Sequence, residues 1–222
     1  MPRTVMPLLI VLLAIGVGWV LTRWWLYPAL GVPGYAPMLL RPLLGFAAAW
    51  WLLARAGEHW SRYGLRRPRA WSWLPLQCAL LYALVWVTSQ HVVAPLATAL
   101  EFNPGPSILG YIHGNAIALA GWLAISWIVG AFIEELLFRG FLLNRIEVLL
   151  GGGVGATVGA VLAQATLFGM LHLYQGAAGA LFAGIFATIY GVMYCAFGRN
   201  LWPLIIVHGL WNSVGIIGIY TG

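Results

Sequence analysis

Apolar residues along this chain come in long runs, with polar positions gathered between them. Such runs extend from Val5 to Leu21, Met38 to Ala56, Leu74 to Val93, Ala116 toward Leu150, Val154 to Leu173, Ala177 to Phe197 and Leu201 to Tyr220. A helix needs about 20 predominantly apolar residues to cross the hydrocarbon core of a bilayer. Backbone polar groups in lipid must be satisfied within the segment, so runs of this kind are helices. The pattern predicts an all-α, polytopic transmembrane helix bundle of about seven spans, with any active site in a cavity between helices.

The breaks between runs carry the turn residues. Pro28, Gly31, Pro33 and Gly34 mark a first loop, and Gly151, Gly152 and Gly153 end the fourth run. Leu96 to Gly110, with Pro104 and Pro106, reads as a loop on the far side of the membrane. No small-x-small cleavage site follows the first run; Thr22, Arg23, Trp24 and Trp25 do, so the run is expected to stay as an uncleaved span with an aromatic anchor. Gly155 and Gly159 form a small-xxx-small pair, a pattern common by chance in apolar sequence.

Composition removes the soluble alternatives. The 222 residues are 62% hydrophobic and 7% charged, where a soluble domain carries about a quarter charged residues. One integral membrane domain, 1–222, is expected. The net charge of +6 sits at the ends of apolar runs, which suits topology and lipid contact; nucleic acid is not an expected partner. With seven spans, Arg3, the cluster from Arg55 to Arg69, Arg145 and Arg199 fall on one side. That side is expected to be cytoplasmic, in the cell inner or plasma membrane, with the C-terminus outside. Arg23 and Arg41 dissent. Cys78 and Cys195 lie inside apolar runs and are expected to be free thiols. No long internal repeat is visible, which counts against an inverted-repeat transporter.

Against this background the acidic residues matter. There are five, and two of them, Glu134 and Glu135, are adjacent within an apolar run. A charged side chain in a membrane segment points to function and needs a partner. Residues four apart on a helix share a face, so Glu135 and Arg139 can pair. Glu134 is rotated about 100° away by the helical period and can face a cavity. One free and one neutralised carboxylate suit general-base chemistry; an interfacial charge cluster at a helix end fits the same trio. Phe168 and His172 stand four apart, as do His208 and Asn212. An imidazole and an amide on one face can donate to a developing oxyanion, or can bind helices together. His59, His91 and His113 read as surface or interfacial residues.

The ordered set Glu134-Glu135-x-x-x-Arg139, Phe168-x-x-x-His172, His208-x-x-x-Asn212 resembles the CPBP family, also called the Abi or CAAX-protease family of intramembrane proteases. The resemblance covers about Gly130 to Gly218. It implies a catalytic core over about 111–222, with 1–110 as variable N-terminal helices. It implies hydrolysis of a peptide bond in a membrane-anchored or lipidated substrate. Glu134 would activate water and His172 would assist. His208 and Asn212 would stabilise the oxyanion, with Glu135, Arg139 and Phe168 in support. No cofactor is assigned; zinc on Glu134, His172 and His208 is the alternative to metal-free chemistry. A non-catalytic scaffold or transporter, or a bacteriocin-immunity or sorting role, are the rival readings. One tension stands: straight spans of equal length would hold His172 and His208 at different depths.

Overall fold

The computed structural model of the protein describes residues 5–26, 36–68, 70–102 and 109–222, with side chains at 23, 25, 26 and 36–38 outside the description. The loop expected at Pro28 to Gly34, the prolines Pro104 and Pro106, and the charges of Arg3, Arg23 and Arg69 lie outside it. The described residues are helical and include no strand.

Among the described residues, seven helices form the bundle: α1 Val5–Val20, α2 Ala36–Ala56, α3 Trp71–Ala99, α4 Ala116–Leu149, α5 Gly153–Leu171, α6 Gly176–Ala196 and α7 Trp202–Thr221. Six are long and apolar enough to cross a membrane, and α1 is a shorter apolar helix. The third span runs on to Ala99, six residues past its expected end at Val93, so Leu96 to Ala99 belong to a helix and not to the far-side loop. Leu96, Ala97 and Ala99 are apolar, and Pro95 is accommodated directly after the π-helical stretch Ser89–Val93. Cys78 and Cys195 are free thiols.

Helix α4 is the axis of the molecule. Every residue from Leu136 to Leu143 is buried, Arg139 and Gly140 included. A helix buried all round must be surrounded by other elements. Leu137 meets the α1–α2 pair, where a side chain on Gly45 would strike Ile15 and Leu137. Phe138 packs edge-on against Phe168 of α5, with ring centroids 4.8 Å apart. The Tyr63 carbonyl lies over Gly140. Two stretches of α4, Ser126–Ile133 and Leu136–Leu143, are π-helical, and Glu134–Glu135 is the junction between them. Wide turns of this kind are rare and gather at functional sites.

The helix ends sort into two layers. Helices α2, α4 and α6 stop in the same way, with a left-handed glycine (Gly57, Gly151, Gly198) whose successor bonds back five residues: Glu58 to Leu53, Gly152 to Glu147, Arg199 to Tyr194. At that end, Glu58 accepts from Arg145 at 2.6 Å and from Tyr63, and Glu147 pairs with Arg199 at 2.6 Å. Burial and the bond to Glu58 push the Tyr63 phenol up to about 12, so it stays a donor at neutral pH. The opposite end holds Leu171–Gln175 and the contact between Gly114 and Tyr220. The close approach of α5 and α6 uses Gly169 against Ala180 and Gly184; Gly155 has open space around it, and Gly159 faces only Leu150.

Candidate active site

The two glutamates have α-helical dihedrals, φ −65° and ψ −40° each, so the rotation between neighbours expected of an α-helix holds locally even with π-turns on both sides. Their environments diverge accordingly. Glu135 is fully buried. Its Oε1 accepts from Arg139 Nη1 at 2.9 Å and from His208 Nδ1–H at 2.8 Å. Glu134 makes no hydrogen bond or ion pair among the described residues and lines a cavity of about 350 Å³. His172, His208 and Asn212 line the same cavity, so α4, α5 and α7 bring the three motifs to one place.

Arg139 is held by more than its carboxylate. Its guanidinium lies 4.9 Å from the Phe168 ring and 5.1 Å from the Tyr190 ring. An arginine with no exposure needs such contacts, because unpaired it would carry a large desolvation penalty. Phe168 faces four partners. It also stacks obliquely on His172 at 4.4 Å and meets His208 at 6.5 Å. The buried ion pair thus bears on both histidines, on one through a hydrogen bond and on the other through an aromatic ring.

The hydrogen bonds fix what each imidazole offers. A carbonyl oxygen only accepts, so the 2.7 Å contact from His172 Nδ1 to Phe168 O is an N–H donation. The neutral ring then carries its lone pair on Nε2 and can accept a proton from water. His208 has committed Nδ1–H to Glu135, so its Nε2 is also a lone pair in the neutral ring. It becomes a second donor only as imidazolium, with the Glu135 carboxylate behind it. This modifies the expected oxyanion pair: Asn212 donates in any state, His208 only when protonated. Asn212 Nδ2 itself stands 3.0 Å from where a Cβ on Gly130 would be, so a glycine one turn before Glu134 makes room for it.

The depth conflict between His172 and His208 is relieved inside α5. Phe168, one turn before His172, reaches the level of His208, and the cavity runs from there past Asn212 to Leu109 and Ile219 at the Leu171–Gln175 end of the bundle. The zinc set fares differently. Among the described residues, no three histidine, cysteine or carboxylate side chains stand close enough to hold a metal ion together. The engaged Nδ1 of each histidine leaves Nε2 as the lone-pair nitrogen, the atom open to a proton or to a metal ion. His91 and His113 are exposed, as is His59.

Two cavity residues escaped the sequence reading. Arg41 of α2 is 7% exposed, donates from Nη1 to Leu171 O at 3.2 Å and lies 5.6 Å from the Tyr174 ring. Both side chains line the cavity. The signal for Arg41 was its dissent, an arginine within an apolar run on the side opposite to the other arginines. Tyr174 had no signal, since tyrosines near membrane interfaces are commonplace.

No curated protein and no solved structure matches the chain. Residues 116–214 match the sequence model of the family described as type II CAAX prenyl endopeptidase Rce1-like. That stretch begins with α4 and includes Glu134, Glu135, Arg139, Phe168, His172, His208 and Asn212. Over residues 116–214, just under half of its length, the chain is similar to the type II CAAX prenyl endopeptidase Rce1-like family.

Proposed function

We propose that the protein is an intramembrane endopeptidase that cuts a membrane-anchored or lipidated peptide with water activated by Glu134. The observation that carries this reading is the division of the two glutamates. One is neutralised by Arg139 and bonded to His208; its neighbour has no hydrogen-bond or ion-pair partner among the described residues and lines a cavity that also holds two histidines and an amide. A scaffold has no use for an unpartnered carboxylate there.

The chemistry follows from the groups available. Water held between the Glu134 carboxylate and Nε2 of His172 gives up a proton to Glu134 as its oxygen attacks the scissile carbonyl. The developing oxyanion accepts from Asn212 Nδ2 and from Nε2–H of protonated His208, whose charge Glu135 stabilises. Glu134 then passes its proton to the leaving amine as the C–N bond breaks. The apolar cavity wall, with Phe182, Trp211 and Ile216 among its residues, suits a substrate that arrives from the lipid. The reading is metal-free, because Glu134 as base and Nε2 of His172 as acceptor meet the needs of the water without a metal ion. With the Arg-rich end in the cytoplasm of a cell inner or plasma membrane, the cavity extends toward the opposite face.

The experiment compares the C-termini of membrane proteins by mass spectrometry in cells with the wild type, with Glu134→Ala, His172→Ala or His208→Ala, and without the protein. New C-termini seen with wild type alone support the peptidase. Identical C-termini in all samples, with the variants folded and abundant, point to a scaffold instead. Activity of purified protein should survive strict metal removal. Loss that zinc alone restores overturns the metal-free chemistry.

A further inference from the structure

Asn144 stands where the Leu136–Leu143 wide turns of α4 give way to ordinary helix. Its backbone N–H bonds to Phe141 O, three residues back. Its side-chain amide takes the carbonyls that a helical N–H would serve. Nδ2 donates to Gly140 O at 2.6 Å and to Arg139 O at 3.0 Å, and lies 3.1 Å from the Tyr194 hydroxyl of α6. The amide thus closes on the residue whose guanidinium neutralises Glu135. Its other side faces the approach to α7. Arg199 Nη1 donates to Asn144 Oδ1 at 2.6 Å, and the same guanidinium grips both carboxylate oxygens of Glu147. Carbonyls only accept and an arginine only donates, so the orientation of the amide is fixed from both sides. Arg199 holds a left-handed φ of 57°, uncommon for a residue with a side chain, three positions before α7 begins at Trp202. Helix α7 carries His208 and Asn212.

We propose that Asn144 is a positioning residue for the reaction: it fixes the wide turn that holds Arg139 and, through Arg199, the register of α7 against α4 at which Glu135 meets His208. The effect on turnover rests on the peptidase reading above; the effect on the two helices rests on the hydrogen bonds alone. Asn144 is not among the residues that line the cavity, so it reaches the chemistry only through the elements it joins. Buried backbone carbonyls need partners, and a short amide that serves two of them ties the ladder at one width. Wide turns are rare and gather at functional sites, and here a side chain holds one in place.

The test follows cleavage of a lipidated synthetic peptide in proteoliposomes and reads amide hydrogen exchange on the same samples by mass spectrometry. Asn144→Asp keeps the size of the side chain and an acceptor for Arg199, but as a carboxylate it has no donor for Arg139 O and Gly140 O. Its kcat is expected to fall about 10- to 100-fold with KM within about twofold of wild type, the mark of misplaced catalytic groups. Exchange should rise over Leu136–Leu143 and over 202–208. Arg199→Gln should give a smaller loss, and the double variant no more than Asn144→Asp alone, because both act through one link. Additive losses overturn the link to α7. Arg145 serves the same end of α4 through Glu58, so Arg145→Gln is the control for stability and should leave kcat unchanged. An equal fall in kcat with Arg145→Gln overturns the proposal, since any loosening of that end would then suffice. So does Asn144→Asp with normal kcat, or with exchange unchanged over both segments. If wild type cleaves nothing while Asn144→Asp still raises exchange over both segments, the brace stands and the peptidase reading falls.

Discussion

Glu134 and Glu135 are chemically identical and one residue apart, and the bundle gives them opposite surroundings. Their variants should therefore fail in opposite ways. Glu134→Gln removes no ion pair, so thermal stability should be unchanged while cleavage falls by about 10²- to 10⁴-fold, the range of a general base. Glu135→Gln leaves Arg139 buried beside an uncharged amide, at a cost of about 3–5 kcal/mol. It should unfold measurably earlier in a thermal melt. If the two variants melt alike, the assignment of paired and free carboxylates is wrong. At this scale the sequence was informative where partners are four residues apart on one helix: Glu135 with Arg139, and Phe168 with His172. It was silent on the bond from His208 to Glu135, because the two are 73 positions apart and nothing local encodes which carboxylate faces α7. Arg41 was visible as an oddity but not as a cavity residue, for the same reason.

At the scale of elements, α4 and α7 are held at a separation set by small residues. A Cβ on Gly209 would lie 2.5 Å from the Trp127 ring, and one on Gly130 would crowd the Asn212 amide. These contacts differ in consequence. Gly209→Ala strikes a large ring, and overpacking of this sort costs about 1–3 kcal/mol. Gly130→Ala meets only the end of a side chain, so stability should hold while Asn212 moves. Displacement of an oxyanion donor should lower kcat by about 10- to 100-fold with little change in KM. A Gly130→Ala enzyme with normal kcat would mean that Asn212 is not a donor to the reaction. The π-turns that flank Glu134 had no signature in the apolar run, since hydrophobic periodicity does not distinguish wide turns from α-turns when every face is apolar. The glycine pair that did stand out, Gly155 with Gly159, makes no close helix contact, whereas Gly169 and Gly184 do. The motif describes what a helix permits; the neighbour decides whether the permission is used.

For the whole molecule, span number and helical character were legible because a bilayer imposes length and internal hydrogen bonding on any crossing segment. The arrangement of spans around α4 was not, because long-range packing between uniformly apolar helices leaves little pattern to read. The structure separates an ionic end, with Glu58–Arg145 and Glu147–Arg199, from the end toward which the cavity extends. We propose that the ionic end faces the cytoplasm, following the positive-inside rule. In a Cys78→Ala, Cys195→Ala background, a cysteine at Thr221 should react with an impermeant maleimide added outside cells, and one at Ser61 should be protected until lysis. The reverse pattern would turn the cavity toward the cytoplasm. The central claim is that an unpartnered glutamate in this cavity cuts peptide bonds, and its most direct test pairs two readings on one sample. Purified wild type and Glu134→Gln are reconstituted in the same lipid, given the same lipidated peptide, and followed by product mass and by thermal melting. The account predicts equal melting curves, with cleavage products from the wild type alone. Products of equal yield from both proteins would contradict it.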